Sequence, residues 1–323
     1  MLICGDIGGT KALLGIAEVA GGRPYFTCVR RYACADFADF PALFAQFRQD
    51  AATDAGALAG GCLAVAGPIA DDGLTAKITN LPWSVDAAHC GAVFGLPPLG
   101  LANDFAAAAL GVAAAAPEHL VTLQAGAPLA AAPRLVVGAG TGLGMAVLLP
   151  ETHGRWRILP GEGGHTGFAP QDETQARIHA ALLAEHGRVT SERVISGPGL
   201  AAIHRILAGA ALDPAVIAER ALANSDSAER RSLDVFLAAY GAYAGDMALT
   251  VMARGGVYLA GGIAAKILPL MHAGGFIAAF GAKAEHAALA ARMPVHVVTD
   301  PEFGLKGAAL IGDSLLDTSE LFA

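Results

Sequence analysis

Residues 2–19, LICGDIGGTKALLGIAEV, and residues 134–149, RLVVGAGTGLGMAVLL, share one pattern. In each, a short apolar run meets a glycine-rich turn carrying a threonine, and an alternating apolar run follows. Short runs with period-two alternation are strands, and glycine between them permits a tight reversal. The second copy begins roughly 130 residues after the first, which marks a degenerate internal repeat. Two such copies, each followed by helices and further strands, predict two related α/β lobes with a cleft between them.

Residues 41–58 read as a helix, and residues 62–66 as a short buried strand ended by Gly67-Pro68. A strand over 99–102 runs into Asn103-Asp104, good N-cap residues for an alanine-rich helix over 105–116 that Pro117 closes. Downstream, residues 172–186, 198–208 and 228–250 read as helices. Residues 257–260 form a strand that leads through Gly261-Gly262 into a helix, and residues 295–298 are a late strand. No long linker or low-complexity segment divides the halves.

Composition narrows the function. The chain has 323 residues, enough for two medium lobes with their own cores. Its hydrophobic share of 54% is inflated by alanine, which counts as apolar while burying little area. The longest charge-free run, residues 87–103, contains His89, Pro97, Pro98 and Asn103, so it is no clean membrane span. The opening MLICGDIGGTK lacks the basic start and long apolar stretch of a signal peptide, so a soluble cytoplasmic protein is expected. The 5 cysteines all fall in the first third without a CxxC pair, which suggests neither a disulfide framework nor a zinc site. Basic residues number 21 against 29 acidic, for a formal charge of −8 without a basic cluster. Nucleic acid and anionic membrane are therefore not expected as main partners. An acidic chain can still bind a polyphosphate through backbone N–H groups and a divalent cation.

Five short segments and the single residue Glu192 carry the candidate chemistry. In Gly5-Asp6-Ile7-Gly8-Gly9-Thr10-Lys11 the glycines let backbone approach a phosphate, and Thr10 adds a hydroxyl donor. It is not a P-loop, because Lys11 follows Thr10, and not a dinucleotide fingerprint, because a strand follows it rather than a helix. Alone it reads equally well as a tight hairpin. Asp6 favours phosphate, since Mg²⁺ on a polyphosphate is commonly held by a carboxylate through water. The second turn, Gly138-Ala139-Gly140-Thr141-Gly142-Leu143-Gly144, carries the same two readings; two such turns across a cleft would grip successive phosphates. At Gly261-Gly262 a flat adenine ring could slide against bare backbone, though a strand-to-helix turn explains the pair as well. Asn103-Asp104 lies where open α/β sheets bind ligands, yet a helix cap needs one of the two side chains. Gly161-Glu162-Gly163-Gly164-His165 sets an acid and an imidazole on a flexible loop suited to sugar hydroxyls, with no third residue at zinc spacing. Glu192 alone reads as a helix start or a partner of Arg193.

In this order the segments resemble the bacterial glucokinase family of the actin–hexokinase–heat-shock ATPase superfold. The resemblance runs from GDIGGT (5–10) to GLKGAAL (304–310). It is carried most by NDF (103–105), GAGTGLG (138–144), LPGEGGHTGFAP (159–170), SERVISGPGL (191–200) and GGVYLAGGI (255–263). TNLPW (79–83) is similar to the family's TNxxW stretch near the sugar. The resemblance implies a two-lobed, ribonuclease H-like α/β fold with a cleft, the small lobe being residues 1–114 with 303–323 and the large one 115–302.

It further implies a cytoplasmic glycolytic enzyme that uses ATP and Mg²⁺ to phosphorylate glucose at its 6-hydroxyl. Asn103, Asp104, Glu162, His165 and Glu192 would bind glucose, with Asp104 as the base. Gly5, Asp6, Ile7, Gly8, Gly9 and Thr10, with Gly138, Gly140, Thr141 and Gly142, would hold the ATP phosphates. Asp6 would anchor Mg²⁺ through water, and Gly261 and Gly262 would lie by adenosine. A homodimer is compatible with this reading. Lys11 departs from the family, where some relatives carry Asn.

Two alternatives stand beside it. A ROK-like kinase of another hexose would carry a cysteine-rich zinc motif after the Gly/His segment, and no cysteine follows Cys90. A ROK repressor would also place a DNA-binding domain before the first strand, where this chain begins. A non-catalytic sugar sensor would keep Glu162, His165 and Glu192 but could lose Asp104 or the phosphate turns, all of which are present.

Overall fold

Both glycine segments fold as antiparallel hairpins in the computed structural model, which describes residues 1–51, 58–152 and 155–319. The chain divides into two compact units. The first comprises Met1–Ala116, Glu151–Ile158 and Asp300–Ala323. Its strands β1 (Leu2–Ile7) and β2 (Lys11–Ala20) pair antiparallel with Ile7 opposite Ala12. Strand β3 (Arg23–Ala33) extends the meander, and β4 (Gly60–Val65) lies parallel on the other side of β1. A small two-stranded sheet, β5 (Thr75–Lys77) and β6 (Ser84–Asp86), precedes β7 (Gly100–Asn103), which pairs parallel with β4. The resulting order is β3-β2-β1-β4-β7.

Side-chain alternation gives this sheet two buried faces. Ile3, Ile7, Leu14 and Ile16 meet Phe40, Phe44 and Phe47 of α1 (Phe40–Asp50). Cys4, Leu13 and Ala17 meet Ala107 of α3 (Asp104–Ala113) and Leu305, Ala308 and Ala309 of the helix Phe303–Ser319. Between them in sequence lies the short α2 (Ala87–Val93). Asp39 caps α1 by accepting the Ala42 N–H at 2.8 Å. Of the expected helix 41–58, residues 52–57 lie outside the described residues, as do residues 320–323 of the expected small lobe. The helix expected over 105–116 ends at Ala113, and Pro117 opens a separate 3-10 turn.

The second unit comprises Pro117–Pro150 and Leu159–Thr299. Its strands are β8 (Leu120–Gln124), β9 (Arg134–Ala139), β10 (Leu143–Pro150), β12 (Gly256–Ala260) and β13 (Val295–Val298), and its sheet is edged by β11 (Trp156–Gly161), of which the residues from Leu159 on belong to this unit. They are ordered β11-β10-β9-β12-β13-β8. Strand β9 pairs antiparallel with β10 and parallel with β12, as β1 does with β2 and β4. The first five positions thus repeat the strand order of the first unit, so the sequence repeat is also a repeat of topology. Helices α4 (Glu173–His186), α5 (Gly197–Ala208), α6 (Pro214–Ala223), α7 (Ala228–Val251) and α8 (Gly262–Lys266) follow the chain. Asp172, Ser196, Asp213 and Ser227 cap the first four with side-chain acceptors, and positive-φ glycines, Gly187 and Gly209, close α4 and α5. The core packs Leu135 and Val137 of β9 against Phe236 and Tyr240 of α7. Among the described residues, no helix is long and apolar enough to cross a membrane.

Candidate functional site

In the first unit the tip of the β1–β2 hairpin is braced from below. Gly8 N–H donates to the Lys11 carbonyl at 3.0 Å, and Cys34 N–H donates to the Thr10 carbonyl at 2.9 Å. A Cβ on Gly9 would stand 2.8 Å from the Thr79 carbonyl, so only glycine lets the turn rest on the 79–83 stretch. That stretch is pinned by buried Trp83, whose Nε1 donates to the Ala38 carbonyl at 3.0 Å. Thr10 is left exposed at the tip.

Strands β1, β4 and β7 run parallel and in register, with Ile7, Val65 and Asn103 side by side at their C-terminal ends. This is the ligand end of an open α/β sheet. Asn103 takes the capping role: its Oδ1 accepts the N–H groups of Phe105 at 3.0 Å and Ala106 at 3.2 Å. Asp104 is the first residue of α3, and its Oδ1 accepts the Phe105 N–H at 2.8 Å. Because Asn103 caps the helix, the Asp104 carboxylate is not needed for that purpose. Burial holds it above the usual carboxylate range, with the Phe105 N–H opposing.

Asp6, on β1, is pushed up to about 6 by burial, with the neighbouring Asp104 carboxylate adding and Lys11 opposing. A Cβ on Gly304, in the first turn of Phe303–Ser319, would stand 2.6 Å from Asp6 Oδ2. The missing side chain leaves that carboxylate its place against the helix start, where the macrodipole favours an anion. Two neighbouring carboxylates held above their ordinary range fit a divalent cation, which would relieve both burial and mutual repulsion.

The second unit carries the other segments. At the β9–β10 tip, Gly140 N–H donates to the Gly142 carbonyl at 2.8 Å, and the Gly140 carbonyl accepts Gly197 N–H from α5 at 2.8 Å. Thr141 is exposed. A Cβ on Gly140 would meet no atom within 4 Å, whereas one on Gly142 would stand 2.5 Å from Glu192 Oε2. Gly261, at φ 85°, lies against the end of β9, where its Cβ would be 2.6 Å from the Ala139 carbonyl. Space above Gly262 is open. The second and third glycine segments are therefore neighbours.

Glu162 precedes a 3-10 turn, Gly163–His165, and its Oε2 lies 3.8 Å from His165 Nε2. Both side chains are exposed, by 90% and 59%, and so are available to a ligand. The intervening glycines do not serve looseness, as the sequence suggested. A Cβ on Gly163 would press on Met145 and Tyr243, and one on Gly164 on the Leu143 carbonyl, so the loop backbone lies directly on β10. Ser191 N–H to the Thr166 carbonyl (2.8 Å) and Phe168 N–H to the Val189 carbonyl (3.1 Å) tie this loop to the segment bearing Glu192.

Glu192 sits in the 3-10 turn Ser191–Arg193, and its Oε2 accepts the Leu143 N–H at 2.8 Å. The backbone amide it accepts lies 49 residues away in sequence, while Arg193 turns toward His186 at 3.5 Å. Thr141, His165 and Glu192 line one cavity of about 630 Å³, with Arg193 and Arg205 on its wall. Among the described residues, no group of three or more His, Cys, Asp or Glu is gathered to hold a metal. The Glu192–Leu143 contact and the Gly304–Asp6 approach have no local sequence signal.

The glucokinase family profile matches residues 3–314. The chain belongs to the glucokinase family. It is 37% identical to a glucokinase of Trichormus variabilis over 96% of this chain and 98% of that relative. Against a glucokinase of Shigella sonnei it is 36% identical over 95% of each chain. Among solved structures, a glucokinase from an Antarctic psychrotroph superposes with TM-score 0.84 at 28% identity, covering 97% of this chain and 98% of that one. A ROK family glucokinase from Streptomyces griseus, solved with glucose and AMPPNP, superposes with TM-score 0.64 over 97% and 99% of the two chains. At 19% identity that likeness concerns the fold alone.

Proposed function

We infer that this chain is a glucokinase that phosphorylates glucose with ATP, at the sugar 6-hydroxyl and in the cytoplasm. Whole-length membership of the glucokinase family carries the reading. The geometry of each unit supports it. Phosphoryl transfer needs positioning and charge neutralisation more than covalent help. Backbone N–H groups of the turns at 5–10 and 138–142 would hold the polyphosphate, and Gly261 and Gly262 would lie by adenosine. Asn103, Glu162, His165 and Glu192 would fix the sugar hydroxyls. Asp104 orients the attacking hydroxyl and accepts its proton as the O–P bond forms. A carboxylate is too weak a base to ionise an alcohol beforehand, so that proton moves late. Mg²⁺, held through water by Asp6, would supply neutralising charge to the phosphate oxygens.

The exposed pair on the sugar loop gives the test. Glu162→Ala and His165→Ala should each raise the KM for glucose at least tenfold, roughly the 1–3 kcal/mol of an unpaired polar contact. Because both side chains are exposed, melting should stay near the parent, and ATP-analogue affinity without sugar should barely change. Calorimetric titration with glucose decides: parental affinity in both variants removes the sugar from this loop.

A further inference from the structure

The two halves of the second unit's chemistry meet at one carboxylate. Glu192, which the proposed function places on the sugar, spends one oxygen on the backbone of the glycine turn assigned to phosphate: Oε2 accepts the Leu143 N–H at 2.8 Å. Beside it, Gly142 leaves the space into which that oxygen fits, since a Cβ there would stand 2.5 Å from Oε2 and 3.3 Å from Cδ. The same side chain lines the cavity shared with Thr141 and His165. Gly142 lies outside the positive-φ positions, so its backbone suits an L-residue. Only the Glu192 carboxylate crowds its Cβ within 4 Å.

We propose that Gly142 is a positioning residue of the sugar site: the bare turn backbone docks the Glu192 carboxylate through Oε2 and so aims Oε1 at a sugar hydroxyl. This rests on the glucose reading of Glu192 given above. It assigns the second turn two tasks, one toward phosphate and one toward sugar. It also makes the two ligands energetically coupled, because whatever orders the turn also orders the carboxylate. The missing side chain at 142 is then selected by Glu192 as well as by phosphate, unlike that at Gly140, where a Cβ meets open space.

The test is glucose affinity measured calorimetrically without nucleotide. Gly142→Ala should weaken glucose roughly tenfold with an unchanged melting temperature, as expected for losing a charge-assisted hydrogen bond that orients the ligand group. Gly281→Ala, where a Cβ also meets open space and which lies outside the assigned turns, should leave glucose affinity at the parental value. Adding Gly142→Ala to Glu192→Ala should cost nothing further, because both act through one carboxylate. In nitrogen-labelled protein the Leu143 amide resonance should shift in Gly142→Ala and in Glu192→Ala, a readout that stands even if the alanine lowers stability. If Gly142→Ala binds glucose like the parent while Glu192→Ala is weak, the inference is overturned and the proposed function stands. If Glu192→Ala itself binds like the parent, Glu192 leaves the sugar site and the inference goes with it.

Discussion

Asp104→Asn should fold, bind glucose in part and lose roughly 10²–10⁴ in kcat, the usual range for removing a general base. The amide is nearly isosteric and keeps an oxygen to accept the Phe105 N–H, now 2.8 Å from Asp104 Oδ1. Asn103 continues to cap α3 through two backbone N–H groups. The helix start is thus preserved and only proton acceptance is lost. Near-normal turnover of the folded variant would reduce Asp104 to a helix residue. The same pair of carboxylates shapes the pH dependence. Burial raises the Asp6 pKa to about 6, so the folded chain binds that proton more tightly than the unfolded one. The resulting stabilisation is complete below the ordinary carboxylate range and is lost as pH rises through about 6. Activity runs the opposite way, since protonated Asp6 cannot serve a cation. The acid limb of kcat/KM should therefore lie near pH 6, and a limb at the ordinary carboxylate value would deny Asp6 its part.

Gly307→Val should destabilise the first unit by about 3 kcal/mol or more, lowering the melting temperature by on the order of 10 °C. Helix α3 and the helix Phe303–Ser319 cross with backbone touching backbone. A Cβ on Gly307 would overlap the Ala107 carbonyl, and one on Gly111 the Phe303 carbonyl. Main chain cannot yield as a flexible side chain does, so a branched residue there must push the helices apart. The crossing also sets chemistry, because Asp104 opens α3 and Gly304 of the partner helix lies against Asp6. Gly281→Ala supplies the contrast: its Cβ meets open space, and its stability should stay within about 0.5 kcal/mol of the parent. A Gly307→Val protein that melts with the parent would mean the helices do not approach this closely.

What the sequence could reveal followed from local pattern. The strands of both hairpins were legible because alternation and glycine coincide, and the cap at Asn103 because its side chain stands between a strand and an alanine-rich helix. Strand β3 was not, since Arg23, Arg30 and Arg31 fall on an edge strand whose residues are mostly exposed or half-buried, which breaks the alternation. Phe303–Ser319 was hidden for a different reason. Gly304, Gly307 and Gly312 argue against a helix by propensity, yet each allows an approach, to Asp6, to Ala107 and to the backbone of Cys62. In the site, Asn103-Asp104 was visible as a cap at a strand end. Glu192 looked like a partner for Arg193 because a sequence shows neighbours only along the chain. Its contact with Leu143 crosses 49 residues and depends on β10 lying where the sheet puts it.

Transfer of a phosphoryl group from ATP to glucose by this chain is tested directly by one measurement. Purified protein with ATP and Mg²⁺ is followed for ADP, with and without glucose, and the sugar product is identified by mass and by the position of its phosphate. ADP release should saturate with glucose, nearly vanish without it, and be matched mole for mole by glucose 6-phosphate. ADP release indifferent to glucose, or a folded protein that binds the sugar and leaves ATP intact, would contradict it.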